Sequence, residues 1–172
     1  MGLLDFIKAS YMEGLNGLNK TEQAFQNANI QIENGDPNGY YNHYMFWRTL
    51  EVNNLGGGVQ SVEMIKKAEM LNEQGANAGN VYAQFVHSCN LGARQRWAER
   101  LEWLRKSAAG GLYWAQSLLS YDLATGSNYV PVNLQEAEYW ATMASRQQVD
   151  YDVYQKALAL LEMIQSMKND SF

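Results

Sequence analysis

Two histidines, His43 and His87, and a lone cysteine, Cys89, are the side chains of this 172-residue sequence best suited to metal binding or nucleophilic attack. A helical metal pair needs two ligands at i and i+4, and neither histidine has a second His or Cys at that spacing. His87 and Cys89 stand two residues apart, about 160° around an ideal helix, so they form no local dyad. The histidines therefore read as structural residues and Cys89 as a small buried hydrophobe. Gly56-Gly57-Gly58 lacks the Gly-Lys-Ser/Thr ending of a phosphate loop and follows no strand. Glu99 with Glu102, or Glu136 with Glu138, would need ~5–9.5 Å of separation across a cleft to hydrolyse a glycoside, and no pattern builds that cleft. A single cysteine also excludes an internal disulfide framework and a Cys-rich zinc site. The expectation is a chain with no catalytic residue, no metal and no cofactor.

Aromatic residues offer a different chemistry, that of recognition. The stretch GYYNHYMFW, residues 39–47, holds five aromatics. On a helix Tyr40, Tyr44, Trp47 and Glu51 share one face, at steps of four, three and four. Tyr41, Met45 and Val52 lie on a second side, and His43, Phe46 and Leu50 on a third. A helix apolar nearly all round is surrounded, so most of this stretch is core. Eleven tyrosines are nevertheless hard to bury together, because each hydroxyl needs a partner. Tyr and Trp are also the residues that anchor interfaces. The candidate partner-binding stripe is Tyr40, Tyr44, Trp47 and Glu51, continued by Tyr82 and His87 and then by Tyr121 and Asp122.

Positioning such a stripe requires regularly placed helices, and the glycines supply the spacing. Gly17, Gly56, Gly92 and Gly126 are 39, 36 and 34 residues apart. Gly35, Gly75 and Gly111 are 40 and 36 apart, and Gln148 stands 37 further on. Glycine is favoured just past a helix end, so two interleaved ladders predict alternating A and B helices. A-type helices are predicted near 3–16, 37–55, 76–91, 112–125 and 150–167. B-type helices are predicted near 20–34, 61–74, 96–109 and 133–147. Thr21, Ser61 and Asn133 are the predicted caps, Asn133 with Glu136 in capping-box spacing. A period of 34 to 40 residues signals an all-α chain, an α-α solenoid of about four helix pairs (3–35, 37–75, 76–111, 112–148) closed by a capping helix over 150–167, right-handed by the family resemblance that follows. The whole, 1–172, is read as a single domain.

The segment GSNYVPVNLQEAEYWATMA, 126–144, resembles the part of Sel1-like repeats that joins helix A to helix B, through Gly126, Val130, Asn133, Ala137 and Trp140. The second Gly of that family's turn is replaced here. EWLRKSAAGGLYWAQSLL, 102–119, is similar to the family's helix B ending and next helix A, through Trp103, Lys106, Ala108, Gly111 and Ala115. Gly56-Gly57-Gly58-Val59 looks like the same turn one repeat earlier, and Gln74-Gly75 like its closing glycine. The resemblance is good over 95–147, fair over 45–92 and thin before Gly35. It implies a tetratricopeptide-related helical repeat protein that acts as an adaptor or binding protein without catalysis.

Charge narrows the partner. Residues 1–90 carry nine acids against five bases, and residues 91–172 nine against eight, within a net charge of −5. An acidic first half is the opposite of what phosphate neutralisation requires, so no nucleic acid is expected. It suits a basic protein, steered by Glu33, Asp36, Glu51, Glu63, Glu69 and Glu73. The basic run Arg94, Arg96, Arg100, Arg105 and Lys106 is interleaved with Glu99 and Glu102 and reads as a solvated, salt-laced helix face. MGLLDFIKASYMEG, 1–14, is broken by Asp5, Lys8 and Glu13 and reads as an amphipathic helix, not a signal peptide. No run approaches the ~20 apolar residues of a membrane span. The expected function is a cytoplasmic, non-catalytic protein-binding module, in its most specific form an immunity protein neutralising a bacterial toxin. The alternative is a regulatory adaptor or assembly scaffold for signalling or secretion proteins, and self-association is compatible with either.

Overall fold

The computed structural model describes residues 15–52 and 59–170, and among these it contains helices and no strand. The α-helices are α1 (Leu15–Glu33), α2 (Asn38–Val52), α3 (Val59–Asn77), α4 (Val81–Ala93), α5 (Trp97–Ala109), α6 (Tyr113–Thr125), α7 (Leu134–Ser145) and α8 (Tyr151–Asn169), with a 3-10 turn at Ser127–Tyr129. The predicted helices over 37–55, 76–91, 96–109, 112–125, 133–147 and 150–167 all have counterparts within a few residues. Residues 3–14 of the predicted 3–16 helix and the turn glycine Gly56 lie outside the described residues, while Leu15 and Asn16 belong to α1.

Four helices end in the same way. In each, the N–H just past the helix bonds a carbonyl five residues back: Asp36 to Gln31 at 2.8 Å, Asn80 to Gly75 at 3.0 Å, Arg96 to Leu91 at 3.0 Å and Leu112 to Ser107 at 3.2 Å. The residue before each donor has positive φ: Gly35, Gly79, Gln95 and Gly111. This is the Schellman ending, which satisfies orphan carbonyls through one left-handed residue. Gly35, Gly111 and Gly126 stand where the ladders placed them. Gly75 and Gly92 do not, since they lie inside α3 and α4, and the chain turns later, at Gly79 and Gln95. Gly17 and Thr21 lie inside α1 and Ser61 lies inside α3, so neither Thr21 nor Ser61 is a cap.

The chain divides into two compact units, Met1–Ala83 and Gln84–Phe172. In the first, α1 packs on α2 and α2 on α3. A Cβ on Gly39 would stand 2.7 Å from the Ala28 carbonyl oxygen and 2.7 Å from the Ile32 nitrogen, so α1 and α2 meet backbone to backbone there. One on Gly75 would meet the Cβ of Tyr40 at 3.0 Å and of Ala83 at 3.1 Å. Gly75 is thus a packing residue, which explains its place in a ladder of helix ends that it does not terminate. Asn80 caps α4 by accepting from the Ala83 N–H at 2.8 Å, while its amide donates to Asn38.

In the second unit α6 is central. It packs on α5, α7 and α8, and α7 packs on α8. An A helix touching both neighbouring B helices and the next A helix is what a helix-pair repeat requires. The contact faces are built from Ala108, Ala115, Ala124, Ala137, Ala141, Ala144 and Ala157, with Leu104, Leu119, Leu123 and Ile164 filling between them. Asn133 caps α7 by accepting the Glu136 N–H at 3.0 Å, as predicted. The Glu136 carboxylate takes no part in a reciprocal box and instead accepts from Arg105 and Trp140. No helix among the described residues is long and apolar enough to cross a membrane.

Candidate functional site

Helices α2 and α4 bring three tyrosines of the first unit together. The Tyr41 ring stacks on Tyr82 with centroids 5.5 Å apart, and the Tyr44 ring is tilted against Tyr41 with centroids 6.0 Å apart. Tyr82 is 38% exposed, while Tyr41 and Tyr44 are half-buried. Burial pushes the Tyr41 hydroxyl above its usual value, and the neighbouring phenols of Tyr44 and Tyr82 add to the shift. Two of the predicted site residues, Tyr44 and Tyr82, are thus joined through one assigned to a different side, Tyr41. The step of three from 41 to 44 was the available signal. Tyr40 is half-buried, with its Cβ against Gly75 of α3. The side chains of Trp47 and Glu51 lie outside the described residues.

The remaining predicted positions fall in the second unit and separate. His87 packs edge-on against Trp103 of α5 at 5.1 Å, and the Lys106 ammonium sits 3.9 Å over that same ring. Tyr121 is 47% exposed, whereas its neighbour Asp122 has no exposed surface. Consecutive helical residues point about 100° apart, so only one of the two faces solvent. Asp122 Oδ2 accepts from Arg100 Nη1 at 2.6 Å and Oδ1 from Asn128 Nδ2 at 2.9 Å. Asp122 is therefore not a surface contact, and Arg100 is not part of a solvated face. Gly92 makes room for it, since a Cβ there would stand 2.9 Å from Arg100 Cδ. The other bases of that run stay outside: Arg96 pairs with Glu99, and Arg105 with Glu136.

Two residues read as structural divide as well. His43 is buried, its ring stacked 4.7 Å from Phe25, and burial holds its imidazole below the usual histidine range. The Lys67 charge adds to that shift and the Phe25 backbone opposes it. Cys89 is exposed rather than buried, because the inward position of that turn is taken by Ser88. Among the described residues no cluster of three His, Cys, Asp or Glu side chains is placed to hold a metal.

A second aromatic surface was not foreseen beyond Tyr121. A groove of about 690 Å³ is lined by Phe85 from α4, Trp114 and Tyr121 from α6, and Val153, Leu160 and Met163 from α8, with an almost wholly apolar wall. Trp114 Nε1 donates to Asp150 Oδ2 at 3.0 Å, while Asp150 Oδ1 accepts the Val153 N–H and caps α8. The indole bond, followed by that backbone bond, holds the Asp150 carboxyl below the usual carboxylate range. Trp114, Leu118 and Tyr121 are spaced four and three apart, which was legible as a face. The face was missed because α8 was read as a cap alone. No family model, no curated protein and no solved structure matches the chain.

Proposed function

We propose that this chain is a non-catalytic protein-binding module, a Sel1-like right-handed solenoid that presents the tyrosine surface of α2 and α4 to a basic protein partner. The observation that carries the reading is the convergence of Tyr41, Tyr44 and Tyr82. Tyrosines supply large contact area with little side-chain freedom to lose, and their faces accept arginine and lysine by cation–π contact. Acidic excess in residues 1–90 favours the same class of partner. In its most specific form the module acts in the cytoplasm as an immunity protein with one tight client, a toxin domain.

The test is a tagged pull-down from the native host at two salt concentrations, repeated with Tyr44→Ala/Tyr82→Ala. One stoichiometric basic protein, lost with the double variant while helical circular dichroism persists, is the expected result. Several weaker clients would favour an adaptor instead. Capture that ignores the two substitutions would remove the tyrosine surface from the interface.

A further inference from the structure

The groove between α4, α6 and α8 is independent of the tyrosine surface, and its chemistry differs. Its volume of about 690 Å³ falls within the ~300–1,000 Å³ of small-molecule sites. Along α8 the wall runs from Val153 to Met163, about 15 Å at the helical rise. The Trp114 N–H is already bonded to Asp150, so the indole adds apolar area and no free donor. One cation interrupts this wall. Lys156 lies on α8 between Val153 and Leu160, three and four residues from each, in the stripe that forms the groove. It forms no ion pair among the described residues. Of the acids near it, Asp150 is turned to Trp114 and to the start of α8, and Asp152, four residues earlier on the same helix, makes no salt bridge with it.

An elongated apolar trough with a single ammonium that makes no salt bridge matches a ligand with one anionic end and an unbranched apolar tail. A peptide would bring a row of backbone amides, for which the wall offers only Ser117, the Tyr121 hydroxyl and Lys156 as polar side-chain partners. We infer that the groove binds a free aliphatic carboxylate, with Lys156 on the carboxylate and Phe85, Trp114, Leu160 and Met163 around the chain.

The experiment titrates octanoate, decanoate and dodecanoate, each below its micelle concentration, into the full chain. Binding is read by calorimetry and by tryptophan fluorescence. Each added methylene should raise affinity by up to about fourfold until the trough is filled. Lys156→Met should weaken dodecanoate about two- to fivefold and leave dodecanol unchanged, as expected for a partly exposed ion pair. Ala159→Phe, at an exposed lining position, should abolish both with the melting transition retained. Should that variant fold poorly, Ser117→Phe blocks the trough from α6. Affinity independent of chain length, or unaffected by Lys156→Met, overturns the inference. So does retention on anionic phospholipid vesicles without binding of the monomeric acids, which would make this face a membrane contact.

Discussion

At the residue scale, the Arg100–Asp122 pair shows what burial does to a charge. Removing one partner leaves the other unpaired in a low-dielectric interior, which is far costlier than losing a surface pair. Asp122→Asn should destabilise the protein by about 3–5 kcal/mol in urea denaturation, whereas Glu99→Gln at the exposed Arg96 pair should shift the midpoint far less. Equal effects would contradict the burial assignment. The pair was illegible in the sequence because Arg100 and Asp122 are 22 residues apart, and each looks like an ordinary member of a charged face. His43 makes the companion case for pH. Its unfolded-state value is near 6.5 and its folded-state value is lower, so above pH 6.5 neither state binds the proton and stability is full. As pH falls from 6.5 through the folded value, the unfolded chain takes up the proton first and stability is lost. Denaturation midpoints at pH 7.5 and 5.5 should therefore differ more in the native protein than in His43→Phe. An unchanged difference would assign the pH dependence to other groups.

At the scale of elements, glycine spacing predicted the order of the helices among the described residues, yet it mixed two physical roles. Gly35 and Gly111 are left-handed helix ends, and Gly75 and Gly92 are close approaches inside helices. In the ladder Gly35, Gly75, Gly111 an end, a close approach and an end follow one another at steps of 40 and 36, so sequence spacing cannot tell the two roles apart. The position at which α4 does turn is Gln95, with φ of 59°, where a Cβ opposes the left-handed conformation. Gln95→Gly should stabilise the protein by about 1 kcal/mol, the left-handed strain relieved less the greater freedom of the unfolded chain. Gly39→Ala should do the reverse, since its Cβ would press on backbone atoms of α1 that have no rotamer to adopt, and a loss of about 1–3 kcal/mol is expected. Thermal melts of the two variants should move in opposite directions. The tyrosine surface and the groove were half-legible for a related reason. Periodicity identifies which residues share a face, but the rotation that sets one face outward depends on packing between helices far apart in sequence.

At the scale of the whole molecule, the charge distribution makes a claim that no single contact does. For the basic partner proposed above, nine acids against five bases in residues 1–90 would supply an attractive field, and a field of that kind acts on the encounter. On the same proposal the tyrosine contacts would act after it, because stacked rings hold by short-range forces that salt does not screen. Raising ionic strength from about 0.05 M to about 0.5 M shortens the screening length from over 10 Å to below 5 Å. The association rate for the captured partner should then fall by at least tenfold, with the dissociation rate changed by less than about threefold. Tyr44→Ala/Tyr82→Ala should show the complementary pattern in surface plasmon resonance, a faster dissociation with nearly native association. If salt instead accelerates dissociation, direct ion pairs hold the complex, and the acidic residues rather than the tyrosines are its anchors.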